Sequence, residues 1–518
     1  MSQRSLTLLF LVLYSLTVGS QSLSHVFYMQ LPSAKVATVV DRSKSGSMPE
    51  QAGYLESCEI DLSSRSWFNA SDVDGESFVW GVTAKGSRGL SLYFSELRLE
   101  GGSSLSLYNG RGELVQMITS ADLNESPLFA TADVDGDSLI ASLFVEKGYS
   151  CKAIIKGVGV QFSSNSRDFG HAGSCEVPVN CAEGANWQTL KKAVVRIRLL
   201  RGGMMYWCTG SLINNTALNN TPYIITADHC GNGTSKSELL QWVFAFNYES
   251  GDCSRPTVEP LKQTMTGATK VASSHVGASI GSDFYLVKLK NSVPASMNGY
   301  FLGWDRTNMV NGGGVSIHHP QGDIKMISTY TQTPINAGWD ASVNTHWQVY
   351  WAATSSGHGV TEGGSSGSPL LNSDGRLIGV LTGGDSGCGY QELADYYGKF
   401  SYGWDQNGVA DTLRLKPWLD PINSGALTLG GMQVGVAQVK DQHVTLYPNP
   451  VSDEVVVSFP FGSGEANWEL FNVTGQRVAF GSFYEATSRI AVDKFAKGLY
   501  VLRIKRGAEF GTSSLVVK

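Results

Sequence analysis

Residues 362–371 read "EGGSSGSPLL", three serines set among glycines and closed by a proline and two leucines. A catalytic serine must sit on a tight turn whose backbone N–H groups converge on developing negative charge. Glycine permits both the dihedral angles and the close approach that this needs. Gly/Ser runs are more commonly tethers, but here the chain continues as "PLLNSDGRLIGVLTGG", two apolar runs joined by a hairpin turn at Asp374-Gly375. The loop is therefore built into a sheet. In the pattern Gly364-Ser365-Ser366-Gly367-Ser368-Pro369, Ser366 occupies the middle of the turn.

A serine nucleophile needs a base, and the base needs a carboxylate to fix its tautomer. Among nine histidines, His229 lies in "PYIITADHCGNG", where an apolar strand runs into a small-residue turn and a neighbouring cysteine can pin the imidazole. A lone histidine in such a place is ordinarily structural. His318 and His319, which precede a proline in a loop, are read that way. Asp283 opens the apolar run of "GSDFYLVKLK", where an aspartate is commonly a cap or turn residue. The chain order His229, Asp283, Ser366 is nevertheless the order of base, acid and nucleophile in barrel-type serine proteases.

The rest of the chain sets the context. Its 518 residues exceed one ordinary core, so two to four domains are expected. Hydrophobic content of 42%, 59 glycines and 16% charged residues describe a folded, turn-rich, all-β protein. A net charge of −6 and the absence of any Lys/Arg block argue against nucleic acid or anionic membrane as partners. The start, "MSQRSLTLLFLVLYSLTVGSQS", reads as an export signal over 1–20, its apolar run being shorter than the ~20 residues that span a bilayer. Export permits disulfides, and the eight cysteines have no close CxxC spacing, so neither zinc nor any other metal or cofactor is expected.

Residues 21–167 alternate apolar and polar positions in short runs and read as a β-sandwich, with Cys58 paired to Cys151. Its "DVDGES" and "DVDGDS" clusters are hairpin turns rather than calcium loops, since neither continues to a closing Glu. Residues 168–424 hold many short strands and one expected helix, "GVADTLRLKPWL", enough for a double barrel. A Gly-rich linker over 425–443 leads to a small sandwich over 444–518.

At this point the residues carry a likeness. "TADHC", "SDFYLVKL" and "GGSSGSPL" resemble the His, Asp and Ser motifs of the chymotrypsin-like fold, and specifically the bacterial lysyl endopeptidase family. The similarity runs from "GSCEVPVNC" through "CTGSLINNT", "GWDR", "IHHPQGD" and "GVTEGGSSGSP" to "WLDP". It implies a secreted serine endopeptidase with His229 as base, Asp283 as acid, Ser366 as nucleophile and the N–H groups of Gly364 and Ser366 as oxyanion hole. It also implies the pairs Cys175–Cys388, Cys181–Cys253 and Cys208–Cys230, a pro-domain over 21–167 and cleavage after lysine. Trypsin-type enzymes keep the pocket acid six residues before the nucleophile, where this chain has Val360; the family supplies it later, at Asp395 in "LADYYGKFSYGW". Trp339 resembles the family's aromatic wall, and its usual histidine companion is replaced by Thr382.

Animal-type relatives place an Asp before the nucleophile to bind a new N-terminus, where this chain has Ser365. Because Ser366 holds the middle of the glycine turn, substituting Ser365 or Ser368 by Ala is expected to leave a folded, largely active enzyme. "YPNP" and the terminal "KGLYVLRI" and "LVVK" resemble the sorting domain of type IX secretion, whose machinery becomes an expected partner. Because "QFSSNSRDFGHAGS" holds Arg167 and no Lys, a separate arginine-specific protease is expected to cut before Asp168. The product is expected to be a secreted or surface-held monomer acting on proteins and peptides. An inactive relative serving as an adhesin is the alternative.

Overall fold

The computed structural model describes residues 16–18, 21–23, 26–35, 49–162, 169–274, 281–435, 444–460, 464–472, 476–506 and 509–518. The export-signal segment falls almost wholly outside them, and so does the Arg167–Asp168 joint. The described chain is mostly strand, and it divides into two units, Met1–Gly435 and Val436–Lys518.

Three strands of the N-terminal region matter to the site: β1 (Glu50–Asp61), β2 (Gly89–Arg98) and β3 (Lys152–Gln161). They pair in the order β2-β3-β1. A second sheet built on Gly75–Thr83, Ser104–Asn109 and Ser138–Glu146 closes the sandwich over a core that includes Trp80, Leu92, Phe94 and Leu107.

The first barrel follows, with β4 (Val194–Arg201), β5 (Met204–Leu212), β6 (Tyr223–Ala227), β7 (Val243–Phe246), β8 (Ala268–Ser273) and β9 (Phe284–Leu289). Its antiparallel order is β7-β4-β5-β6-β9-β8. The second barrel is β10 (Gly314–His318), β11 (Met326–Tyr330), β12 (His346–Val349), β13 (Pro369–Asn372), β14 (Leu377–Gly384) and β15 (Asp395–Lys399), ordered β11-β10-β13-β14-β15-β12. Most positions of these strands are buried, and the architecture is the chymotrypsin-like double barrel.

Strand β5 has a divided edge. Ser211 and Leu212 pair with β6, whereas Met204–Trp207 pair with Glu50–Tyr54 of β1. The N-terminal sandwich is thus sheet-continuous with the first barrel and shares with it a core of Ala52, Tyr93, Ala130, Met205 and Trp207. Asp133 of the sandwich is buried against Arg198 and Arg196 of β4. A separate pro-sandwich and barrel were expected; a shared sheet joins them.

Two further expectations are corrected. The linker does not begin at 425, because Thr428–Leu429 pairs with Trp304–Asp305 and Met432–Gln433 with Tyr300–Phe301. Cys58 and Cys151 are free thiols. Ser57 pairs with Gly157, whereas Cys151 precedes the first residue of β3, so the two cysteines lie roughly 15–20 Å apart along the ladder, beyond bridging distance. The C-terminal unit stacks a three-stranded and a four-stranded sheet around Val455, Leu470, Leu502 and Ile504.

Candidate active site

Strand register brings the base to its acid. The last pair of β6 and β9 is Ala227 with Phe284, so the residues just past one strand meet the residue just before the other. Asp228 N–H donates to the Asp283 carbonyl at 2.9 Å. His229 N–H donates to Asp283 Oδ1 at 3.0 Å, and Nδ1 lies 2.8 Å from Oδ2. Both carboxylate oxygens are thereby spent on His229, which puts the ring proton on Nδ1 and leaves Nε2 as the basic nitrogen. Asp283 is fully buried and holds φ +50°, a left-handed conformation that Asp tolerates better than most residues.

Ser366 reaches the same place from the second barrel. Its carbonyl accepts the Thr209 N–H at 2.8 Å, and Gly367 N–H donates to Leu381 at 2.9 Å. Gly367 holds φ +85°, and a Cβ there would collide with Thr226 Oγ1 and the Thr209 carbonyl, on the strand that leads to His229. His229 Nε2 is buried and makes no hydrogen bond, so it is left open to a substrate-side proton donor. The Cys208–Cys230 disulfide ties β5 to the His229 turn, and Cys175–Cys388 and Cys181–Cys253 are also formed.

The turn before the nucleophile offers unspent donors. Gly364 holds φ +88°, and the buried N–H groups of Gly364 and Ser366 have no acceptor among the described residues. Such donors suit an oxyanion. Glu50, at the head of β1, is packed against Gly363 beside them.

Asp395 opens β15 and is fully buried. Its Oδ2 accepts from Trp351 Nε1 at 2.6 Å, Thr361 Oγ1 at 2.7 Å and Ser386 Oγ at 2.6 Å. Burial raises its carboxyl above the ordinary value while these bonds pull the other way. It faces Gly384 across the ladder, and any Cβ there would strike its Oδ1, so only glycine fits beside it. Val360 is buried and apolar, with nothing to hold a cation. The Trp339 ring lies 5.4 Å from Tyr396 and 6.2 Å from His346.

Thr382 brings in a residue that the sequence did not reveal. Its Oγ1 lies 3.0 Å from Nε2 of His346, which sits on β12 beside Trp339. A ring thus occupies the surroundings of Trp339 after all, delivered from another strand. His346 in "NTHWQVY" carries no motif, and only the packing of β12 against β15 and β14 reveals it.

Residues 169–398 match the family described as lysyl endopeptidase, C-terminal domain, and residues 445–518 match the secretion system C-terminal sorting domain. Among curated proteins the chain is similar to the lysyl endopeptidase of Pseudomonas aeruginosa, 27% identical over 411 residues that cover 73% of this chain and 85% of that protein. Among solved structures it is similar to a thermostable serine protease, AL20, from an extremophilic microorganism, with 13% identity, 43% of this chain and 98% of that one covered, and a TM-score of 0.31. Protease Anisep from Arthrobacter nicotinovorans is similar at 18% identity, covering 40% of this chain and 90% of that one, with a TM-score of 0.30.

Proposed function

We propose that this chain, a serine endopeptidase of the lysyl endopeptidase type carrying a type IX sorting domain, hydrolyses peptide bonds after lysine. His229 Nε2 takes the Ser366 proton as the hydroxyl attacks the carbonyl, and Asp283 stabilises the imidazolium. The Gly364 and Ser366 N–H groups receive the oxyanion. The same imidazolium protonates the leaving amine, and water then repeats the sequence to release the acyl group. The observation that carries the lysine reading is Asp395, a carboxylate sealed from water, anchored by three side chains and facing a glycine. An ammonium is stable there only if the carboxylate meets it, and leaving one partner unmatched costs ~3–5 kcal/mol.

Profiling a peptide library with wild type and Asp395→Asn tests this. Wild type is expected to cut after lysine, and the variant to lose roughly two to three powers of ten in kcat/KM on lysyl substrates. Wild-type cuts after apolar or acidic residues, or an unchanged lysine preference in the variant, would rule the pocket out.

Residues 21–167 serve in this reading as a pro-domain whose strand β1 begins beside the oxyanion turn. The sorting domain directs export through the type IX machinery to the surface or beyond. Release is assigned to an arginine-specific protease acting at Arg167, because 161–174 contains no lysine. N-terminal sequencing of the secreted protein decides this; a start just after Lys147, Lys152 or Lys156 would favour self-processing instead.

A further inference from the structure

Ser365, the residue between the two proposed oxyanion donors, is fully buried, and its hydroxyl lies 2.8 Å from His318 Nδ1. His318 ends β10 and is also fully buried, with Nε2 2.9 Å from Ser328 Oγ on β11. Ser328 Oγ donates to the Val360 carbonyl at 2.6 Å. At the other end, Glu362 N–H donates to Ser365 Oγ at 3.2 Å.

The donor directions follow from chemistry. A carbonyl only accepts, so Ser328 spends its proton on Val360 and must accept from His318. Nε2 of the imidazole is therefore protonated. In a neutral ring Nδ1 is then bare, and it accepts the Ser365 proton, while the Ser365 oxygen accepts from Glu362. Burial alone holds His318 down to about 3, so the ring is neutral wherever a peptidase works. Glu176, 3.8 Å from Nε2, is pushed well above the usual carboxylate range, chiefly by burial, and leaves this assignment intact.

The result is one directed chain, Glu362 N–H to Ser365 to His318 to Ser328 to Val360. Both of its ends lie on the segment that leads into Gly364. We propose that His318, acting through Ser365, is a positioning residue that holds the nucleophile turn with its oxyanion donors aimed at the scissile carbonyl. The inference rests on the reading of Ser366 and Gly364 given above. It also revises the expectation that Ser365 is dispensable, since Ser365→Ala leaves both Nδ1 and the Glu362 N–H unpartnered in a dry site.

The test uses the processed enzyme as wild type, Ser365→Ala, His318→Gln and His318→Asn. A glutamine amide nitrogen can replace Nε2 and keep the bond to Ser328. An asparagine oxygen can replace Nδ1 and keep the acceptor for Ser365. Ser365→Ala and His318→Gln are expected to lower kcat about 10–100-fold with KM within about twofold, as misaimed donors should. Affinity for a peptide aldehyde, whose hemiacetal oxygen needs the hole, should fall by the same factor. His318→Asn should recover most of kcat.

Unchanged kcat in folded Ser365→Ala would overturn the proposal. So would losses that track only melting temperature, with aldehyde affinity intact. Ser365→Ala is the least intrusive change and decides the matter if a His318 variant does not fold. Fluorophosphonate labelling of wild type keeps the two readings apart: an unlabelled wild type overturns the triad assignment itself, whereas a labelled wild type with unaffected variants overturns only the role of His318.

Discussion

Three serines share one turn, and their surroundings separate them. Ser366 is the one whose loss is expected to abolish acyl-enzyme formation, with folding intact, as fluorophosphonate labelling of Ser366→Ala would read. Ser368 faces Ser316 Oγ at 3.2 Å inside the sheet and has no path to His229. Near Trp339 a second directed chain can be written. Ser342 donates to the Trp339 carbonyl at 2.6 Å, Thr345 to Ser342 at 2.6 Å, and His346 Nδ1 to Thr345 at 2.7 Å, which leaves Nε2 to accept from Thr382. Thr382→Val removes that donor and is expected to cost about 1–3 kcal/mol of stability in urea unfolding, because Nε2 stays buried without a partner. The pairing of His229 with Asp283 was legible because their chain order, with Ser366 as the proposed nucleophile, repeats a known chemistry. His346 and the His318 chain were not, since Thr382 lies 36 residues from His346 and Ser365 lies 47 residues from His318.

Among elements, the long β5 does two jobs by splitting its edge between β6 and β1. Its apolar run was readable as a strand, but a sequence pattern does not say which strand pairs with which. The same holds for the ion pair between Asp133 and β4. Burial would raise the Asp133 carboxyl, yet the Arg198 and Arg196 guanidiniums outweigh it and hold it low. Removing the carboxylate leaves the buried Arg198 without its ion-pair partner. Asp133→Asn is expected to destabilise the uncut chain by about 3–5 kcal/mol, measured by chemical denaturation of an inactive Ser366→Ala background. The expected helix "GVADTLRLKPWL" is instead a 3-10 turn at Asp411–Leu413 and a single helical turn at Lys416–Leu419. Arg414 between them is extended, and Pro417 has no N–H to donate back to Leu413.

Across the whole molecule, acid should weaken the catalytic unit through its buried imidazoles. His318 and His346 are buried neutral, at about 3 and about 4 against an ordinary 6.5, burial being the main cause in both. Between pH 6.5 and about 4 the unfolded chain binds protons that the folded one refuses. Stability therefore falls as pH falls through that window and recovers as it rises. Unfolding midpoints in urea at pH 7.5 and pH 5 should show the loss, and His346→Phe, if folded, should show a shallower pH dependence. An equal pH dependence in wild type and folded His346→Phe would contradict the buried neutral state of that ring.

What the sequence by itself determined were the properties that live in local pattern. Glycine-framed serines and apolar runs of strand length pointed to an all-β protein with a serine set in a tight turn, and the likeness of its motifs to known families implied the endopeptidase and the sorting domain. The tertiary structure decided everything that depends on strand register. Register put Asp283 beside His229, brought Asp395 opposite Gly384, carried Cys58 out of reach of Cys151, and welded the N-terminal sandwich to β5. Pairing between strands is long-range, and a one-residue slip exchanges every inward side chain for its outward neighbour. The alternation along a strand therefore announces that it pairs, while the partner and the alignment are chosen only when the whole core packs.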